Sequence, residues 1–214
     1  MKAQERKNLK RENARELILS AAKRLFAKEG YQNTSIRKIA TEINVSPTTI
    51  YLYYKDKNEI THALHQAGFQ LLGSQLSPFA MVEHPFERLK AIGKSYIRFS
   101  FEHPDYYHLM FTMVEPLAFI EATNESHNWE EGNRVFSLLE ATMVECQTLG
   151  YFKGVDIHLL ALQAWALVHG LCALNNSTHL QKAVLNNKIE VNVETIVEDT
   201  FLTFIRFIEQ TKSN

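Results

Sequence analysis

Glycine and proline are scarce in this chain, at eight and five residues in 214. An all-β fold built on many tight turns draws heavily on both, so that class is disfavoured. Cysteine is scarcer still: Cys146 and Cys172 each stand between apolar neighbours. Two cysteines make no disulfide framework, and free thiols fit a reducing compartment. The opening stretch, MKAQERKNLKRENARE, has no apolar segment of the kind a secretory leader needs, so a cytoplasmic location is expected. No GxSxG, no HExxH and no phosphate-cradling glycine loop is present, so neither catalysis nor a cofactor is expected. His62 and His65 stand three apart, but nothing beside them completes a tetrahedral set, and no metal site is expected. His169 and Cys172 share a helix face without the electropositive setting a reactive thiol needs. One long stretch lacks Lys, Arg, Asp and Glu, from Ile157 to Asn176. A membrane span needs about 20 mostly apolar residues, but His158, Gln163, His169 and two asparagines interrupt this one. It reads as a buried helix.

What is present is helical. Hydrophobic residues make up 45% and charged residues 22%, an ordinary globular balance that can bury a sizeable core. The net charge of -1 hides an asymmetry. Residues 1–60 carry 13 Lys and Arg against 7 Asp and Glu, while residues 61–214 carry 10 against 17. The first part is a basic module, which suits a polyanion partner or an exposed solvated face, and the remainder is acidic. Apolar residues recur at the 3.6-residue period almost throughout. A first helix is expected over 10–29, with Leu17, Ile18, Ala21, Ala22, Leu25 and Phe26 on one stripe and Gly30 as its stop. A short second helix follows, capped by Thr34 or Ser35, with Ile36, Ile39, Ala40 and Ile43 as its apolar face. Ser46 then caps a third short helix with Pro47 at its first position. Asp56 and Glu59 have the spacing of a capping box for a fourth, running towards residue 75. Further helices are expected near 85–102, 104–113, 130–149, 156–175 and 193–211. The fold class is all-α.

Two short helices across a tight turn can place the second in a DNA major groove. At about 100° per residue, Ile50 and Tyr54 of the third helix project together towards the apolar stripes. Thr48, Thr49 and Leu52 project the other way, with Tyr51 and Tyr53 at opposite edges. Hydroxyl-bearing aromatics on two flanks suit phosphates, and threonine offers a hydroxyl and a methyl to base edges. Lys57 suits a further phosphate, and Arg37 either the backbone or a base.

The run LILSAAKRLFAKEGYQNTSIRKIATEINVSPTTIYLYYKDKNEI resembles the DNA-binding domain of the TetR family of bacterial transcriptional regulators. The likeness spans about residues 13 to 62 and rests on AAKRLFAKEGY, TSIRKIA, VSPTTIYLYY and KDK. It implies that Arg37, Thr48, Thr49, Tyr51, Tyr53 and Lys57 lie where the family contacts DNA, with Thr34 and Pro47 completing the candidate set. Two positions depart from the pattern: Thr48 stands where the family often has glycine, and Tyr54 where it usually has phenylalanine.

The resemblance implies a helix-turn-helix domain over 1–62 and a ligand-binding and dimerisation domain over 63–214. Residues 61–214 hold 18 aromatics, enough to line an apolar pocket or simply to fill a core. ALQAWALVHGLCAL and FEHPDYYHLMF resemble a subgroup with a Trp-His-Gly signature, here Trp165, His169 and Gly170. His169 either bonds a ligand or is satisfied within the core. The candidate ligand-binding residues are Phe99, Tyr106, Phe111, Trp165 and His169. The helices near 156–175 and 193–211 are candidates for a four-helix interface between two copies. The expected function is a homodimeric repressor, released from a palindromic double-stranded DNA operator by a largely apolar small molecule. The alternative is a DNA-binding architectural or partner-regulated protein without such an inducer.

Overall fold

The computed structural model describes residues 3–122, 129–210 and 212. Among these the regular structure is helical and contains no strand, as the periodicity predicts. The α-helices are α1 (Ala3–Glu29), α2 (Ile36–Glu42), α3 (Pro47–Tyr51), α4 (Lys57–Leu76), α5 (Pro85–Glu102), α6 (Pro104–Phe111), α7 (Glu115–Ala122), α8 (Glu130–Thr148), α9 (Ile157–Asn176), α10 (His179–Asn186) and α11 (Ile196–Glu209). A 3-10 turn, Ser77–Met81, separates α4 from α5. Two helices had no sequence expectation. In α7, Pro116 sits in the first turn, where proline is tolerated. α10 is only eight residues long and has no side-chain cap.

By compactness the chain forms two units. One comprises Met1–Phe69 and Asp105–Trp129, the other Gln70–Pro104 and Glu130–Asn214. Packing therefore divides inside α4 rather than at residue 62, and α6 and α7 go with the first three helices. Leu109 of α6 accounts for part of this, since it is buried in the same cluster as Ile18 and Leu64.

In the first unit, α1 contributes Ile18, Ala21, Ala22, Leu25 and Phe26 to the core. These follow the i, i+3, i+4, i+7 spacing of a single stripe. Leu17, expected on that stripe, lies beside it and is 59% exposed. Local polar chemistry sets the helix ends. Ser35 caps α2 by accepting the Lys38 N–H at 3.2 Å. Asn44 ends α2 in the left-handed region, at φ 55°. There its N–H donates to the Thr41 carbonyl, while that of Val45 donates to the Ala40 carbonyl. This is the paired bonding of a Schellman ending, and asparagine tolerates the conformation with less strain than most side chains. Asp56 caps α4 through the Glu59 N–H at 2.9 Å, and Glu59 reaches back to the Lys55 N–H.

The second unit packs α5 against α8 and α9, with α11 also against α9. α5 buries Phe86, Leu89, Ile92, Tyr96 and Phe99 along one face. Phe86 stacks on Tyr151 with ring centroids 4.6 Å apart. α9 differs from the expected buried helix. Ile157, Ala161, Ala164, Val168 and Cys172 face the core, while Leu159, Leu162, Ala166, Ala173 and Leu174 are exposed. By length and composition α9 is also the one described helix apolar enough to cross a membrane, with a mean hydropathy of 1.7. The α11 stripe Ile196, Val197, Phe201, Ile205 and Ile208 is buried within its own chain. It is therefore not a free surface for a second copy.

Candidate functional site

α3 is held by its first turn and by its inward residues. Ser46 Oγ accepts the Thr49 N–H at 3.1 Å, and the two hydroxyls lie 2.9 Å apart. Ile50 and Tyr54 are buried in the core, as helical spacing predicts. Beyond Tyr51 the helix tightens: Tyr53 N–H donates to the Ile50 carbonyl at 2.9 Å, and Leu52 N–H to that of Thr49 at 3.3 Å. Directions extrapolated from an ideal helix therefore lose accuracy at Tyr53. Its ring is half-buried against the core instead of standing clear at an edge.

The outward surface consists of Pro47, Thr48, Tyr51 and Leu52, with Thr49 half-exposed. Tyr51 is 56% and Leu52 71% exposed. Arg37 is exposed on α2. Short polar side chains at the start of the helix, one phenol at its end and a guanidinium on the neighbouring helix suit base edges flanked by phosphates. Two other basic residues of this unit are already paired. Lys38 meets Glu29 at 2.6 Å and Arg24 meets Glu42 at 3.3 Å.

Two members of the candidate DNA set point elsewhere. Thr34 is fully buried, and its hydroxyl donates to the Gly30 carbonyl at 2.9 Å. Lys57 turns its ammonium inward to the loop between α1 and α2. It donates to the carbonyls of Tyr31 at 2.8 Å and Thr34 at 3.0 Å, and lies 3.8 Å from the centre of the Tyr31 ring. Burial draws the Lys57 ammonium below its usual range, with Glu115 opposing. The Tyr31 hydroxyl bonds Asn58, closing the loop onto α4. Sequence reasoning missed Arg15, whose guanidinium lies 4.6 Å from the Tyr54 ring centre and donates to the Tyr53 carbonyl. No local motif marks it, because the contact spans 38 positions. The Tyr54 hydroxyl is buried and meets no partner at full hydrogen-bond geometry among the described residues, with the Arg15 guanidinium the cation that acts on it.

The five candidate ligand residues fall in both compact units. Tyr106 and Phe111 belong to the first unit, where Lys23 caps the Tyr106 ring at 4.0 Å and Phe111 meets Phe69 at 5.5 Å. Phe99 is fully buried, against His103. Trp165 and His169 do converge, through a residue the sequence did not flag. Trp165 Nε1 donates to the Tyr96 hydroxyl at 3.3 Å, and that hydroxyl lies 3.1 Å from His169 Nδ1. Tyr96 can therefore donate to a neutral His169, and burial lowers the imidazole below its ordinary 6.5. Beside this chain is a chamber of about 60 Å³ lined by apolar groups from α5, α8, α9 and α11, including Leu89, Met143, Trp165 and Phe201. A larger cleft of about 560 Å³ lies among Lys94, Arg98, Asn175, Gln181 and Glu198. Burial pushes the Cys146 thiol up to about 11, with Arg88 opposing, so it is not a thiolate near neutral pH. His62 and His65 are buried against Phe119 and Phe69. Among the described residues no three His, Cys, Asp or Glu converge as metal ligands do.

Comparison with known proteins adds to this geometry. Residues 18–64 match the description "Bacterial regulatory proteins, tetR family", and residues 89–199 match "Tetracyclin repressor-like, C-terminal domain". The chain is similar to the HTH-type transcriptional regulator HbdR of Aromatoleum sp. (strain CIB), 28% identical over 172 residues, 74% of this chain and 71% of that one. A Rhodococcus sp. RHA1 protein of unknown function has the same fold, with a TM-score of 0.69 and 23% identity over 91% of this chain and 94% of that one. So has AibR in complex with isovaleryl coenzyme A and operator DNA, with a TM-score of 0.59 and 23% identity over 74% of this chain and 85% of that one.

Proposed function

The chain belongs to the tetR family of bacterial regulatory proteins, and from that premise we propose a homodimeric repressor that a small molecule releases from a near-palindromic operator. The observation that carries this reading is the α3 surface. Thr48, Tyr51 and Leu52 are exposed while Ile50 and Tyr54 anchor the helix from below. Such a helix can enter the major groove, with Thr48 and Thr49 at base edges and Tyr51 and Arg37 against phosphates. Residues 1–62 are the reader in this account, and 63–214 carry ligand binding and dimerisation. Tyr53 contributes through its partly exposed edge. Thr34 and Lys57 act from behind, by shaping the loop between α1 and α2.

The second copy is assigned to α9. Leu159, Leu162, Ala166, Gly170 and Ala173 recur at three and four residues, the period of one helix face. A side chain added at Gly170 would meet nothing within 4 Å. Gly170 thus leaves room for a neighbouring helix, which gives the glycine of the Trp-His-Gly signature a role. Trp165 and His169 face the other way, towards Tyr96. The ligand is assigned to the apolar chamber beside them, and that AibR binds an acyl thioester supports a partly apolar ligand. The protein acts in the cytoplasm, as a regulator and not as an enzyme. The small volume of the chamber favours a second reading, in which a partner protein replaces the inducer.

The test is DNA binding at matched salt. The purified protein binds duplexes from the neighbourhood of its own gene more tightly than random duplexes. Equal affinity for both would remove the reading.

A further inference from the structure

Two cavities in the second unit share one wall, Phe201 of α11. The inner chamber is apolar and holds about 60 Å³. Water occupies about 30 Å³ in the liquid, and small-molecule pockets run from about 300 to 1,000 Å³. The inner chamber as it stands is therefore too small for a ligand of ordinary size. The outer cleft, about 560 Å³, is large enough. Its lining balances two cations, Lys94 and Arg98, with two carboxylates, Glu194 and Glu198. Lys94 and Glu198 already face each other at 3.6 Å.

The wall rests on a glycine. Phe201 is 2% exposed and rests on Gly93 of α5. A Cβ at position 93 would lie 2.5 Å from its Cζ and 2.6 Å from its Cε2. The ring thus lies on bare backbone at that point, where no side chain interlocks with it. The cleft also holds an unmet polar demand. The Gln181 amide donates to Asn175 Oδ1 at 2.6 Å, but its own oxygen is buried without a partner among the described residues. A buried acceptor left unpaired is costly, and a ligand donor would remove the cost.

We infer that Phe201 is a movable partition, and that its displacement joins chamber and cleft into one site for an uncharged amphipathic ligand. The apolar end displaces the ring and fills the space beside Trp165 and Met143. The polar end carries a hydrogen-bond donor, stays in the cleft and meets Gln181. The balanced charge of the lining favours a neutral head such as a hydroxyl or amide over a carboxylate or an ammonium. This inference rests on the ligand-binding reading above.

The probes are 1-alkanols from butanol to decanol, with the alkanoates of matching length. The reporter is Trp165 fluorescence in a Trp129→Phe background, since the chain has two tryptophans. Each added methylene placed in an apolar site is worth roughly fourfold in affinity. Removing the displacement step in advance gives Phe201→Ala about tenfold tighter binding of the longer alkanols, with little change for butanol. Phe201→Leu, which keeps the apolar face of α11 should the alanine variant fail to fold, gives a smaller gain of the same kind. Circular dichroism confirms that each variant is folded. If wild type and both variants bind the alkanol series alike, the partition is wrong and ligand binding stands. If alkanoates bind more tightly than alkanols, the neutral head is wrong and the inference fails. If no probe perturbs Trp165 in any of the proteins, the inference and the ligand-binding reading fall together.

Discussion

Lys57 shows how one residue divides two readings. Its place in KDK suggests a phosphate contact, but its ammonium donates to two loop carbonyls and lies against Tyr31. Hydrogen bonds from a charged donor are worth about 1.5–3 kcal/mol. Lys57→Met is therefore expected to lower the stability of the free protein by about 1–3 kcal/mol, read by urea unfolding without DNA. A residue that only touched phosphate would leave that midpoint unchanged. The exposed residues behave differently. Tyr51→Phe weakens binding to all sequences alike, while Thr49→Ala changes the preferred bases, and affinities across a small duplex library separate the two. His169 supplies a pH signature. Its lowered folded-state pKa means that the unfolded chain binds the extra proton first as pH falls. The stability it confers is full above its ordinary value of 6.5 and is lost below it. His158 acts in the opposite sense, because Glu140 at 2.8 Å raises its pKa. Thermal unfolding at pH 7.5 and pH 5.5 is expected to show a larger drop for wild type than for His169→Gln.

Elements were more legible in the sequence than their neighbours. The ends of α2, α3 and α4 were readable because Ser35, Ser46 and Asp56 act within three residues of themselves. The inward turn of Ile50 and Tyr54 was readable for the same reason, since 3.6-residue periodicity is local. What stayed hidden depends on which helix meets which. Tyr96 was not flagged because its bonds to Trp165 and His169 cross from α5 to α9, 69 and 73 positions away. Tyr106 and Phe111 were grouped with Trp165 on aromatic content and on the resemblance of FEHPDYYHLMF, while α6 packs in the first unit. The α11 stripe was equally clear as a pattern, but a pattern does not say whether its partner is in the same chain. Its residues are buried in one copy, whereas the outer face of α9 is not. Leu162→Glu is accordingly expected to convert the protein to a monomer on size-exclusion chromatography with little change in unfolding midpoint. The same variant binds a full operator at least about a hundredfold more weakly, because the two readers no longer act as one bivalent unit.

At the scale of the whole molecule, charge and packing divide the chain differently, since residues 1–60 are basic while the first compact unit also takes in Asp105–Trp129. The basic first part carries the α3 surface, and the acidic remainder carries the cavities and the free face of α9. In the proposed mechanism a ligand alters DNA affinity only through its different affinity for two states of the dimer. Beneath that lies the claim that this protein reads DNA sequence as a two-fold pair. Selection of duplexes from a random library by the purified full-length protein, followed by sequencing, tests this most directly. One enriched, near-palindromic sequence is expected, with half-site centres roughly 34–36 Å apart or somewhat more. Binding to that sequence is expected to be about a thousandfold or more tighter than to random duplex at the same salt. A selected pool with no common sequence, or a consensus without two-fold symmetry, would contradict the claim.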